Sequence, residues 1–212
     1  MRRLALLGAS GHGKVVADSA LCSGWDEVVF FDDAYPNNKN IGSWSIMGDS
    51  NALLGQLSAY DGVIVSIGDC RIRLKKQQMF KAFGARLATV IHRSATVSPY
   101  AKIGLGTVVM AGAIVNIDSF VGDACIINTG ATVDHDCHLI EAVHICPGAH
   151  LSGNVRIGTG SWIGVGACVK QGIVIGDNVM VGAGSVVVES IADNQIVFGN
   201  PARSHIVPSS LG

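Results

Sequence analysis

Asp134-His135-Asp136 is the stretch of this chain best suited to moving a proton. An unperturbed imidazole titrates at roughly pH 6.5, so it can act as a neutral base near pH 7. Either flanking carboxylate can orient the ring and stabilise its protonated form. A base of this kind, set beside an exposed backbone N–H, suits attack on a thioester carbonyl, because the N–H can stabilise the oxyanion. A solvated histidine on an outer wall would have the same sequence position. Histidines also stand at His92, His138, His144 and His150. No HxH or HExxH spacing joins them, so no metal site is expected.

A second group of chemically useful residues lies near the N-terminus: Gly8-Ala9-Ser10-Gly11-His12-Gly13, Asp32-Asp33 and Gly68-Asp69. Each follows a short apolar run: Leu4 to Leu7, Val28 to Phe31, and Val63 to Ile67. Helical stretches are expected from Lys14 to about Cys22 and from Arg71 to Phe83. Strand–helix alternation of this kind implies a small parallel α/β sheet. In such sheets ligands bind at the carboxyl ends of the strands, where all three motifs fall. A glycine turn before a helix lets backbone N–H groups approach an anionic group, typically phosphate. The pattern is not GxGxxG, and tight strand–helix turns need glycine in any case. An Asp after the second strand can accept hydrogen bonds from a ribose or a base.

The element that must position His135 is a repeat. Every sixth residue from Ile91 to Val187 is Ile, Leu or Val, an unbroken run of seventeen. Four places after each stands a small or medium apolar residue or a small hydroxyl residue, such as Ala113, Ser119, Cys125, Ala131, Cys137 or Ala149. A helix would show a period near 3.6 and an ordinary exposed strand a period of 2. Period six fits short strands separated by turns, three to a triangular coil of about 18 residues, with coils stacked as parallel strands about 4.8 Å apart. The expected fold is therefore a Rossmann-like α/β domain over residues 1–90, a left-handed parallel β-helix over 91–190 and a tail over 191–212. In that frame His135 lies two places past the inward Val133 and faces outward. Gly153 holds the same phase one coil later and stacks against it. His135, His138 and His144 differ in phase and form no vertical ligand column.

Composition narrows the classes further. The net charge is −1 and charged residues make up 15%, without the basic excess of a nucleic-acid binder. Mean hydropathy is high at +0.41, yet no apolar run approaches the roughly 18 residues of a membrane span. The N-terminus carries no signal-peptide pattern, and a cytoplasmic location is expected. None of the six cysteines forms a CxxC; they are expected to be reduced and mostly buried.

The glycine motif, the unbroken hexads, Val133-Asp134-His135-Asp136-Cys137 and Phe198-Gly199-Asn200-Pro201-Ala202-Arg203 occur in this order. Together they resemble the sialic acid O-acetyltransferase-like family of hexapeptide-repeat acyltransferases. Within it, the chain is most similar to the UDP-4-amino-sugar N-acetyltransferases of bacillosamine biosynthesis, over nearly its full length. The resemblance implies a homotrimer with active sites at subunit interfaces, a UDP-sugar on the N-terminal domain and acetyl-CoA on the β-helix. It implies His135 as general base and Asp136, where Glu is common, as its support. His144 would lie near the acetyl group and Asn128 would be a polar substrate contact. His12, Asp32, Asp33, Gly68 and Asp69 match positions around the sugar nucleotide, with Asp69 standing where the most similar enzymes carry an amide. Gly153, Val165, Gly182 and Ala183 match the coenzyme groove.

The reaction expected is acetyl transfer from acetyl-CoA to the 4-amino group of a UDP-linked sugar, direct and without an enzyme nucleophile. Cys137 is then a packing residue rather than an acyl carrier. O-acetylation of sialic acid or another surface sugar is the alternative enzyme. A non-catalytic sugar-nucleotide-binding scaffold and a γ-carbonic-anhydrase-like metalloenzyme are alternatives of other classes.

Overall fold

The computed structural model describes residues 1–204. Its N-terminal part is built from β1 (Arg3–Leu7), α1 (Gly11–Cys22), β2 (Glu27–Phe31), the hairpin β3 (Asn40–Ile41) and β4 (Trp44–Ser45), α2 (Ser50–Leu54), β5 (Gly62–Val65) and α3 (Cys70–Ala82). The three longer strands form a parallel sheet in the order β2-β1-β5. Leu4, Leu6, Phe30 and Ile64 pack with α1 on one side, and Ala5, Leu7, Phe31 and Phe80 form the other layer. Near-continuous apolar strands are what a parallel sheet covered on both faces requires. α1 begins three residues earlier than the helical pattern suggests, because Ser10 caps it and accepts from the Gly13 N–H.

From Val90 onward the chain is a parallel β-solenoid of triangular section. Its first face stacks the strands beginning at Val90, Val108, Ile126, His144, Trp162 and Met180; the second those from Thr96 to Val186; the third those from Lys102 to Val174. From Val90 to Val187 registers advance by 18 residues, as in Ile127 against Ile145 and Val133 against Leu151. Ile196–Phe198 adds another rung to the first face, against Met180–Val181. Arg203–Ser204 then folds back antiparallel on it. Residues 205–212, the end of the expected tail, lie outside the described residues.

The axial core contains the aliphatic residue of nearly every hexad, together with Cys125 and Cys137 at small inward positions. Corners turn through left-handed backbone, and where the turn residue is not glycine it is usually Asn or Asp: Asp118, Asp136, Asn154, Asn178. Those types tolerate positive φ better than other side chains. Ile127 is fully buried, so Ile127→Ala is expected to cost about 2–5 kcal/mol through lost burial and a residual cavity. Thermal melting checks this, and activity at a temperature where the variant is folded should change little.

The two parts are joined along the first face and the corner preceding it. α1 packs on Val90, Val108 and Met110, and the Ser23 hydroxyl donates to the Ile91 carbonyl at 2.6 Å. α3 lies along the corner through Arg73, Gln77 and Lys81.

Candidate active site

His135 stands at the corner between the second and third faces, since it falls between the strands Thr132–Val133 and His138–Leu139. Its Nδ1 lies 2.7 Å from Asp136 Oδ2, and both side chains are more than half exposed. Of the two flanking carboxylates, Asp136 is the partner of the ring. Asp134 instead accepts from the Asn116 amide at 2.8 Å and from the His135 backbone N–H at 2.9 Å. The hydrogen bond to Asp136 raises the His135 pKa above the ordinary histidine value, with Asp134 and the Asp136 charge adding to it. With Nδ1 donating to Asp136, Nε2 carries the lone pair and is the basic atom. Gly153 lies directly over the ring: a Cβ built there would be 2.5 Å from both Cε1 and Nε2.

The raised pKa sets a pH dependence. A base must be neutral to act, so activity should rise with pH through a value above the usual histidine range. In Asp136→Asn the charge favouring imidazolium is gone. The acidic limb of the kcat/KM profile should then move to lower pH while the plateau falls, because the ring loses its orientation.

The other expected site residues gather elsewhere. His12, Gly68, Asn128, His144 and Val165 line one open cavity of about 410 Å³ between the N-terminal domain and the first face, together with Trp162. His144 Nε2 lies 3.1 Å from the Asn128 amide nitrogen, which makes Nε2 the acceptor and places the proton on Nδ1. Burial holds the His144 pKa down at about 3, assisted by the Arg73 charge and by His12. Burial and Arg73 likewise lower His12 to about 4. Both rings are therefore neutral. His12 Nε2 and His144 Nδ1 are buried with no hydrogen-bond partner among the described residues. Two such nitrogens beside one cavity suit a polar ligand.

A second cavity, of about 390 Å³, lies at the carboxyl ends of β1, β2 and β5 and is lined by Gly8, Ser10, Asp32, Asp33, Ile67 and Gly68. Gly68 borders both cavities. Asp32 is partly committed to the turn itself, accepting from the Ala9 and Ala34 N–H groups at 2.6 and 2.8 Å. Burial pulls Asp33 upward, but bonds from Lys76 and Ser50 outweigh it and hold the carboxyl below its usual range; Lys76 Nζ is 2.5 Å away. Asp69 caps α3 by accepting from the Ile72 N–H, a local structural task that sequence position did not reveal. Gly182 and Ala183 continue upward from Val165 along the corner after the first face, one coil on.

His135 and His144 are nine residues apart, yet the corner holding His135 is opposite the face holding His144. The prism core lies between them. One chain does not bring the two histidines together. Sequence reasoning also missed Trp162, whose ring centroid is 4.1 Å from that of His144. The signal was present, since Trp162 has the phase of His144 one coil later. Among the described residues, no group of three or more His, Cys, Asp or Glu side chains could hold a metal ion, and no helix is long and apolar enough to cross a membrane.

A triangular β-solenoid with a carboxylate-oriented histidine on its wall and an α/β domain docked beside it is the arrangement expected of a hexapeptide-repeat acyltransferase of the kind its motifs resemble. Comparison with known proteins agrees. Residues 3–80 match the PglD N-terminal domain family. The acetyltransferase domain of PglB from Neisseria gonorrhoeae FA1090 is 46% identical, with 97% of this chain and 100% of that one covered and a TM-score of 0.91. The same domain is known in complex with acetyl coenzyme A. PerB from Caulobacter crescentus, in complex with CoA and GDP-perosamine, is 38% identical over 95% of this chain and 96% of that one, with a TM-score of 0.90. WeeI from Acinetobacter baumannii AYE shares the fold at 24% identity and a TM-score of 0.86. This chain belongs to the hexapeptide-repeat acyltransferases that carry a PglD-type N-terminal domain, the membership its motifs resemble.

Proposed function

We propose that this protein transfers an acetyl group from acetyl-CoA to the 4-amino group of a UDP-linked amino sugar of the bacillosamine type. The observation that carries the reading is the His135–Asp136 contact beside Gly153: an outward, oriented base next to a stretch of backbone with no side chain to block it. The sugar amine attacks the thioester carbonyl while His135 Nε2 takes its proton. The Gly153 N–H faces the developing oxyanion, and the departing CoA thiolate recovers the proton. Direct transfer needs no covalent enzyme intermediate.

The nucleotide occupies the cavity at Asp32, Asp33 and Gly68, and the sugar extends past Gly68 toward His12 and Asn128. Acetyl-CoA runs along the corner of Val165, Gly182 and Ala183, its acetyl end near His144. Since His135 is on the far side of its own prism, the working site combines His135 and Asp136 of one copy with the His144 cavity of another, in a cytoplasmic homotrimer. Solved relatives holding CoA and a nucleotide-linked amino sugar support the substrate classes.

A thiol-release assay with acetyl-CoA, offering a UDP-4-amino sugar, its GDP-linked counterpart and free sialic acid, tests the reading. Turnover on the UDP sugar with an N-acetyl product upholds it. Turnover on the GDP sugar alone replaces the nucleotide, and turnover on sialic acid alone makes the reaction O-acetylation.

A further inference from the structure

Arg73 is the largest fully buried side chain among the described residues, 1% exposed, and it lies outside the chemistry described above. No carboxylate lies within ion-pairing distance of it among the described residues. All five of its N–H groups are nevertheless used, on five partners from three separate segments. Nε donates to the Ala124 carbonyl at 2.7 Å, and Nη2 to the Ala142 carbonyl at 2.9 Å and to Cys70 Sγ at 3.5 Å. Nη1 donates to the carbonyls of Ile67 at 2.9 Å and Gly68 at 2.6 Å.

The partners are not arbitrary. Ala124 and Ala142 are stacked corner residues of successive coils, both in left-handed conformation (φ 56° and 54°). Ala142 stands two residues before His144. Ile67 and Gly68 form the strip of chain that separates the two ligand cavities. One planar guanidinium therefore connects the loop that borders both cavities to the coil that carries His144. One turn farther along α3, Gln77 repeats the contact on the Leu105 carbonyl at 2.8 Å. The pitch of a helix, about 5.4 Å, nearly matches the coil spacing of about 4.8 Å. An α3 lying on this corner can thus present one side chain to each coil or two.

We propose that Arg73 is a positioning residue for acetyl transfer, setting the distance between the nucleotide-sugar loop at Ile67–Gly68 and the His144 cavity. A rigid fork with five donors can hold carbonyls from both sides at fixed separation; a lysine ammonium, with three donors on one atom, cannot. A buried charge satisfied mainly by backbone carbonyls also adds positive potential at His12 and His144, in keeping with their neutral state.

This inference rests on the nucleotide sugar occupying the N-terminal cavity, so the test pairs a ligand-free measurement with a kinetic one. Arg73→Lys keeps the stem and the charge; Arg73→Ala leaves a space that guanidinium ion fits. In hydrogen exchange without ligands, peptides covering 66–69 and 141–145 of Arg73→Lys should exchange at least about tenfold faster, with the rest of the β-solenoid unchanged. In kinetics, KM for the nucleotide sugar should rise at least about tenfold while KM for acetyl-CoA stays within about twofold. Guanidinium at millimolar concentration should restore part of the activity of Arg73→Ala.

Unchanged exchange at 66–69 would overturn the proposal whatever the substrate proves to be. An equal loss toward both substrates that tracks the folded fraction would also overturn it, as would failure of both variants to fold. Either of those results would make Arg73 a stability residue. Faster local exchange with no turnover of any nucleotide sugar by the unmodified enzyme would uphold the clamp and reject the substrate instead.

Discussion

His135→Ala is expected to lower turnover at least about a hundredfold, the usual range for losing a general base, while the assembly and its melting temperature stay unchanged. The stability half of this expectation comes from exposure. The His135 side chain is more than half exposed, and among the described residues its one side-chain hydrogen bond is with Asp136, itself exposed. Its backbone bonds, including the carbonyl that accepts from the Asn154 N–H at 2.8 Å, survive the substitution. The activity half comes from the amine. A 4-amino sugar is largely protonated near neutral pH, and its attack on the thioester requires a base to take up a proton as the C–N bond forms. Steady-state kinetics with size measurement of the same sample checks both halves. Full activity in a folded variant would remove His135 from the mechanism.

Gly153→Ala should also lower turnover, for a different reason. Its Cβ would sit 2.5 Å from the His135 ring, closer than any real contact. The atoms in the way belong to an exposed side chain that can rotate outward, so the fold gives way cheaply and melting should shift little. The rotated ring leaves Asp136, however, and no longer aims Nε2 at the amine. A misplacement of about 1 Å at a reacting centre can cost on the order of a hundredfold in rate. A kcat reduced at least about tenfold in a protein of normal stability is the expected result. Normal kcat would mean that the ring is not held in this pose when it acts.

These two expectations mark how legible the site was. His135 and Asp136 are adjacent in sequence, so their contact needed only a local turn. Gly153 lies 18 residues on, one coil, and the hexad period places it over His135 without any structure. Spacing alone left Asp134 and Asp136 equal, and only the family resemblance favoured Asp136. Both flank the ring, but the corner puts Asp136 in left-handed backbone at φ 59°, while Asp134 is taken by Asn116. The pattern likewise did not show that Asp69 caps α3 or that Asp33 is bound to Lys76, because helix starts and long-range ion pairs leave no periodic trace.

By itself the sequence determined the repeat, the number of faces, the inward and outward side of every residue from 91 to 187, and the small α/β unit before it. Each of these follows from a local rule repeated many times, so errors do not accumulate along the chain. Only the tertiary structure decided where the N-terminal domain docks, and with it the cavity shared by His12 and His144. Docking depends on a few contacts between distant segments, above all those of Arg73 with the Ala124 and Ala142 carbonyls. Nothing in a period of six or of 3.6 specifies such a set. The structure also decided that His135 and His144 are kept apart by the core of their own prism. The proposed mechanism therefore calls on a second copy to complete the site, because a closed triangular coil cannot turn one of its corners toward its opposite face.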